Sequence, residues 1–289
     1  MANEITVTVA DASLPEIWIP EALRARYAKA VVSKSDVILF KMVTDENPKV
    51  GDNLDFTELA ALSVNNVGAS GSTTNQATTH TARQVALSTW QECTWTIADR
   101  TAKQSVLDYF KEFSISAGDA LAMAMDDAVL DDHGSFTGSN AIGDTVSPGA
   151  MSDDLALEAL VVLDDANVPE DERTWIFAPR AKAHLLKLSA FSDAHATGFK
   201  KSSKLTNLFG ELYGSPVVTT SRVVSTGTPV LRKNLYLHRE AIAMGMVSKL
   251  NIEKFARTSK ANTYSADVLY GEGVIRSTHG VTINTKNTG

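Results

Sequence analysis

Ser63–Thr81 reads SVNNVGASGSTTNQATTHT, a tract dominated by Ser, Thr, Asn, Gln and Gly in which no residue carries a formal charge. Such a stretch buries too little apolar surface to offset the entropy lost on ordering. Strand-like runs flank it, Leu54–Leu59 before and Val85–Ile97 after, the second rich in Leu, Thr and Trp. A long polar excursion between two strands is uncommon inside a compact domain, and a lone two-stranded hairpin is marginal in water. Two readings follow. The tract is either a disordered surface loop or an arm that orders when laid across another subunit, and the flanking strands favour the arm.

Immediately downstream, Asp99–Asp132 carries the strongest helical pattern in the chain. Val106, Phe110, Phe113, Ala117, Leu121, Ala124 and Ala128 recur every three or four residues and predict one apolar stripe. Gly118 interrupts the pattern without ending it, and His133-Gly134 supplies the stop, with glycine as the expected cap. Ser135–Gly149 is a Gly/Ser/Asn loop. Ser152 or Asp153 caps a helix carrying Leu155, Ala159, Leu160 and Leu163, which ends near Asn167, ahead of Pro169. Arg173–Ala178 reads as a short buried strand, and Pro179 opens a helix to Leu188. Leu212–Val218 is two strand pieces around a Gly-Ser-Pro turn. Asn234–His238 is a strand, Ala241–Val247 an apolar Ala/Met segment, and Lys249–Arg257, Thr263–Tyr270, Val274–Arg276 and Val281–Asn284 complete a β-rich tail.

Upstream, Met1–Leu14 is weakly patterned, a helix opens around Pro20 with Leu23 and Tyr27 on one face, and Val37–Val43 is β-rich. Helices and strands alternate without a regular βαβ beat, so the fold class expected is α+β.

The chain has 289 residues, 44% hydrophobic and 21% charged, enough for a sizeable core. Its formal charge is −7, from 27 basic and 34 acidic residues, which disfavours a protein whose task is gripping nucleic-acid phosphates. Cys93 is the only cysteine, so intrachain disulfides, four-cysteine zinc sites and CxxC redox motifs are excluded. No secretory signal pattern and no apolar run of membrane-spanning length is present, and a soluble protein made in a reducing compartment is expected.

Catalytic motifs are sparse. Gly271-Glu272-Gly273 begins like a dinucleotide fingerprint but lacks the third glycine and precedes a β run, and no P-loop exists. Gly68-Ala69-Ser70-Gly71 is not a nucleophile elbow. His80, His133, His184, His195, His238 and His279 are scattered without metal-ligand spacing, and read as surface or packing residues. Ser192, Asp193 and His195 share one loop, where a triad geometry is rarely reached. Asp126-Asp127 and Asp131-Asp132 form an acidic helix end. Asp127 and Asp131 share a face and could hold Mg²⁺ for a Mg²⁺-dependent enzyme, whereas the plainer reading is a solvated end that meets a basic neighbour, since carboxylates there oppose the macrodipole. Arg180, Lys182, Lys187, Lys200, Lys201 and Lys204 make the one basic stretch, a candidate contact surface for DNA or an acidic partner, or simply a wet face.

In order along the chain, several pieces resemble the major capsid protein of tailed double-stranded DNA bacteriophages, the HK97-like fold. Ile17-Trp18-Ile19-Pro20 with the basic helix after it looks like that family's N-terminal arm. Val50-Gly51-Asp52, the polar excursion and the return through Trp95-Thr96-Ile97-Ala98-Asp99 look like its extended E-loop. The helix ending Ala122-Met123-Ala124-Met125-Asp126-Asp127-Ala128-Val129-Leu130 is similar to its spine helix. Trp175–Arg180 with Gly210–Val218 looks like its axial domain, and Leu269–Arg276 like its closing strand region.

The resemblance implies an N-terminal arm over 1–46, an E-loop over 47–98, a spine helix over 99–133, an axial domain over 134–248, a peripheral-domain hairpin over 249–276 and a final axial strand and tail over 277–289. It implies a structural, non-enzymatic shell protein without cofactors, assembled in the host bacterial cytoplasm and resident in the virion. Its partners would be further copies of itself in pentamers and hexamers, a portal protein, a separate scaffolding protein and a decoration protein, with non-specific proximity to packaged dsDNA and no membrane. The E-loop tip expected to touch neighbouring subunits is Ser70, Gly71, Ser72, Thr73, Thr74 and Asn75. No charged helical extension precedes the arm, so a fused scaffolding segment is not expected, and no cross-linking lysine–asparagine pair is assigned. The alternative on the same fold is an encapsulin-like compartment that holds an enzyme as cargo.

Overall fold

The computed structural model describes residues 39–42, 53–59, 62–67, 71, 75–78, 80–98, 109–187, 210–228, 230–255 and 260–287. The expected helices near Pro20 and over 99–108, the basic residues Lys200, Lys201 and Lys204, and the Ser192/Asp193/His195 loop lie outside them.

Four strands make the first sheet: β1 (Leu39–Met42), β4 (Thr89–Ala98), β11 (Ile242–Lys254) and β12 (Ala261–Val274), in the order β1-β11-β12-β4. β11 and β12 are antiparallel neighbours, β4 runs antiparallel along β12, and β1 joins the far side in parallel. The long helix α1 (Tyr109–Asp131) crosses this sheet. Ala117, Leu121, Met125 and Val129 of α1 pack in one core with Met244, Met246, Tyr264, Ala266, Val268 and Tyr270. Phe110 meets Tyr264 edge-on, with ring centroids 5.5 Å apart.

The face of α1 turned inward is only in part the one the apolar stripe predicts: Ala117 and Leu121 are in the core and Phe110 and Ala128 pack against it, but the buried face is rotated toward smaller residues. Ser114, Ala117, Gly118, Leu121, Ala122, Met125, Asp126, Val129 and Leu130 are buried, whereas Phe113 is 44% exposed and Ala124 and Ala128 only half-buried. Small residues at 114, 117, 118 and 122 let the helix axis approach the sheet closely, and that approach outweighs the burial of one phenyl ring. Nor does Gly134 cap the helix. The chain tightens into a 3₁₀ turn over Asp132–Gly134, and Ser135 N–H donates to Asp132 O.

The second sheet runs β5 (Ala141–Ile142), β13 (Gly280–Lys286), β10 (Leu231–His238), β6 (Arg173–Phe177), β8 (Ser215–Thr219) and β7 (Glu211–Leu212), with β9 (Ser225–Thr226) pairing β10. One face carries helices α2 (Asp153–Asp165) and α3 (Pro179–Leu185), which bury Ala156, Ala159, Leu163, Ala181 and Leu185 against Trp175, Phe177, Tyr236 and Ile283. Ser152 caps α2 as expected, its Oγ accepting from Leu155 N–H at 3.3 Å. Trp175 stacks on Tyr236 with centroids 3.7 Å apart and donates Nε1–H to Leu212 O at 3.0 Å, so the bulkiest core residue also leaves no orphaned donor. The other face contributes Ile176, Leu235 and Leu237 to the core beneath α1, which joins the two sheets in one body.

One strand expectation needs correction. Val85–Ile97 is not one strand: β3 (His80–Ala86) pairs with β2 (Asn53–Leu59) in a hairpin, the chain breaks register at Leu87–Ser88, and β4 enters the first sheet. The Ala/Met segment from Ile242 onward is the first half of β11, whose continuous apolar run is explained by burial on both faces. The α+β class expected from the sequence holds.

Candidate assembly surfaces

The β2–β3 hairpin leaves the body at one point. Leu54, Val85 and Leu87 are buried there with Ala243 and Ile275. The contact is close because β12 carries Gly271 where the hairpin passes: a Cβ at that position would lie 1.9 Å from Ala86 O. Beyond this base β3 is exposed except for Val85, and the burial of three aliphatic side chains is worth about 5–8 kcal/mol. That is small against about 1–2 kcal/mol per ordered backbone residue over the length of the arm.

Further out, Gln76 bridges the two limbs. Ser63 N–H donates to Gln76 Oε1 at 2.9 Å and Gln76 Nε2 donates to Ser63 O, an amide standing in for a missing ladder pair. Leu62, Val64 and Val67 point outward at 69%, 98% and 60% exposure, so this segment presents its few apolar side chains to the outside. Gly71, with φ +70°, and Asn75 are exposed there. The other tip residues singled out in the sequence, Ser70, Ser72, Thr73 and Thr74, lie outside the described residues.

A second surface is the outer face of the first sheet along β4. Alternate residues face out: Trp90 is 73% exposed and donates Nε1–H to Asp267 Oδ2 at 3.1 Å. Thr94 bonds Ser265 and Thr96 bonds Thr263 through their hydroxyls, each at 2.9 Å. On the opposite alternation Cys93 and Trp95 pack against the core that α1 covers, Ile97 is buried, and burial pushes the Cys93 thiol pKa up. Among the described residues β4 has no neighbour on its free side, so its edge is open to pairing.

The acidic end of α1 meets the basic neighbour that its charge calls for. Arg222, in the loop after β8, donates Nε–H to Asp127 Oδ1 at 2.7 Å and a terminal N–H to Oδ2. Both oxygens of Asp127 therefore face a guanidinium, which opposes the sequence-level option of a Mg²⁺ ion between Asp127 and Asp131. Asp126 is buried and Asp131 is exposed. At the helix end, burial and the neighbouring Glu272 and Asp131 charges push Asp132 up to about 6. Glu272 on β12 is raised as well, by burial first and then by Asp131.

Of the basic stretch, Arg180 and Lys182 lie on α3 and Lys187 just after it. Arg180 and Lys187 are exposed, and Arg180 Nε reaches Asn287 O at 3.4 Å. Sequence spacing gave no hint of a different grouping: His238, Glu240 and His279 converge where the β10–β11 and β12–β13 turns meet. The signal lies in the β10–β13 register, which sets Leu237 opposite Gly280.

No protein-family model matches the chain, and no curated protein sequence is significantly similar to it. Solved structures do match over most of the length. A chain of Mycobacterium phage Che8 is 21% identical with a TM-score of 0.67, covering 81% of this chain and 85% of that one. The capsid structure of cyanophage P-SCSP1u gives 15% identity and a TM-score of 0.69, covering 88% of each chain. A virus-like particle from Pyrococcus furiosus gives 11% identity and 0.56, over 91% of this chain and 96% of that one. The fold is thus the α+β HK97-like fold of phage capsid chains.

Proposed function

We propose that this chain is the major capsid protein of a tailed phage, a structural subunit that self-assembles into the icosahedral shell enclosing a double-stranded DNA genome. The observation that carries the reading is the β2–β3 arm, anchored to its own body by Leu54, Val85 and Leu87 while Leu62, Val64 and Val67 face outward, on a fold shared with capsid chains. An arm so built gains its missing contacts from a sister copy, and many weak contacts in a closed lattice add up.

On this reading residues 1–46 form the N-terminal arm, 47–98 the E-loop, and 99–133 with 249–276 the peripheral domain. Residues 134–248 with 277–289 form the axial domain. The E-loop tip around Ser70–Asn75 touches neighbouring subunits, and Arg180, Lys182, Lys187, Lys200, Lys201 and Lys204 offer a contact surface for DNA or an acidic partner. Pentamers and hexamers of this chain, a portal, a separate scaffold and a decoration protein complete the particle in the host cytoplasm. The acidic balance of −7 keeps the subunit from adhering to a genome that must later slide out. The role is structural, and no reaction is assigned to it.

Size-exclusion chromatography with negative-stain electron microscopy of the expressed chain, with and without scaffold, tests the reading: shells or capsomers are expected, and a clean monomer at high concentration overturns it. A second reading on the same fold is an encapsulin-like compartment that holds an enzyme as cargo. Nucleic acid recovered from purified particles supports the phage shell, and an enzyme cargo supports the compartment.

A further inference from the structure

His238 ends β10, Glu240 lies two residues on in the turn into β11, and His279 sits in the turn before β13. One ligand atom from each lies within 4.8 Å of the other two. His238 is 5% exposed, while Glu240 and His279 are half-buried and face solvent on one side.

What now stands among them is a positive charge. Arg276 donates from one terminal nitrogen to Glu240 Oε2 at 2.7 Å, and the same nitrogen is 3.4 Å from His279 Nε2. His279 Nδ1 is 3.0 Å from Thr278 Oγ1, and His238 Nδ1 accepts the Glu240 backbone N–H at 3.2 Å. Two imidazoles and one carboxylate form a donor set that suits zinc and its neighbours, and is poor for magnesium or calcium, which take oxygen ligands.

We propose that His238, Glu240 and His279 bind a divalent transition metal of the zinc class, in competition with the Arg276 guanidinium. Tetrahedral zinc with bonds of about 2.0–2.1 Å holds its ligand atoms about 3.4 Å apart. The group must contract by no more than about 1.4 Å from the observed limit of 4.8 Å. The turn residues can supply that movement, because Arg276 and Glu240 are 35% and 44% exposed and Arg276 is free to swing into water. The metal takes a ring nitrogen of His238 in exchange for its long backbone contact, or the ring changes tautomer and offers the other nitrogen. Binding clamps the β10–β11 turn to the β12–β13 turn, whose Ile275 packs on the base of the arm.

The test is calorimetric titration of the chelator-treated full chain with ZnCl₂ at pH 7.5, with visible absorption of Co²⁺ as a second readout. One ion per chain is expected. Glu240→Gln and His279→Ala should each weaken binding at least about tenfold, and Arg276→Ala should tighten it by removing the competitor. A merely sticky surface histidine would not respond to Arg276. Absence of one-to-one binding in both the native chain and Arg276→Ala overturns the proposal, as does binding unchanged by His279→Ala. Glu240→Gln, a near-isosteric change in a half-buried turn, keeps the test decisive should His279→Ala fail to fold. The titration reads metal on the subunit whether or not shells form, so its failure is separate from failure of the capsid reading.

Discussion

Arg222 holds Asp127 by both carboxylate oxygens, tying the loop after β8 to the last turns of α1 across 95 residues of sequence. The pair borders a cleft lined also by Gln91, Asp131 and Arg232, where sheet, helix and loop meet. Both side chains are about two-fifths exposed, so solvent screens the attraction. Asp127→Asn and Arg222→Gln should each cost about 0.5–1 kcal/mol in urea unfolding, with a double-mutant coupling of the same order.

Gly271 and Gly273 lie two residues apart on β12, yet their substitution should have different outcomes. A Cβ at 271 would be 1.9 Å from Ala86 O and 2.9 Å from Leu87 Cα, backbone that cannot step aside. At 273 it would rest 3.5 Å from a Val85 methyl, an ordinary contact. Gly271→Ala should destabilise by about 2–3 kcal/mol and open the arm base to limited proteolysis, while Gly273→Ala stays within about 1 kcal/mol by thermal melting.

Asn234 is fully buried in the middle of β10 and satisfies three partners. Its Oδ1 accepts from Ala178 N–H at 2.8 Å, and its Nδ2 donates to Thr285 Oγ1 at 2.8 Å and Ile283 O at 3.3 Å. Asn234→Ala strands the Ala178 amide at the start of α3 and should cost about 2–3 kcal/mol by chemical denaturation.

Asp132 and Glu272 make stability fall as pH rises. Asp132 Oδ2 and Glu272 Oε2 are buried without a hydrogen-bond partner, and both carboxyls are raised, Asp132 to about 6. Between the ordinary carboxylate range and pH 6 the folded state holds protons that the unfolded chain has released. The stabilisation is complete below about pH 4 and is lost through about pH 6. Asp132→Asn should melt higher than the native chain at pH 8, and the gap should close as the scan is repeated toward pH 4.

Elements marked by local chemistry were legible in the amino-acid order: the Ser152 cap, the fully buried Arg173–Phe177 strand, Pro179 at the start of α3, and the hairpin limb Asn53–Leu59. What escaped depends on distant pairing. The buried face of α1 is chosen by the sheet it meets, which favours Ser114 and Gly118 over Phe113. The break at Leu87–Ser88 exists because β3 and β4 find different partners, β2 and β12. His238 and His279 look unrelated until β10 and β13 are aligned, and Arg222 cannot be linked to Asp127 without knowing where the loop after β8 returns. Short spacing rules see helical neighbours well and strand neighbours hardly at all.

The pairing of β4 with β12 also sets a timetable for biosynthesis. Trp90 bonds Asp267, 177 residues later in the chain. At ribosomal speeds of about 5–20 residues per second, an emerging β4 waits about 9–35 s for its partner, with Trp95 and Ile97 uncovered meanwhile. Translation rate and chaperone supply, more than the strength of any native contact, should therefore govern how much of this polypeptide reaches its final form in a heterologous host.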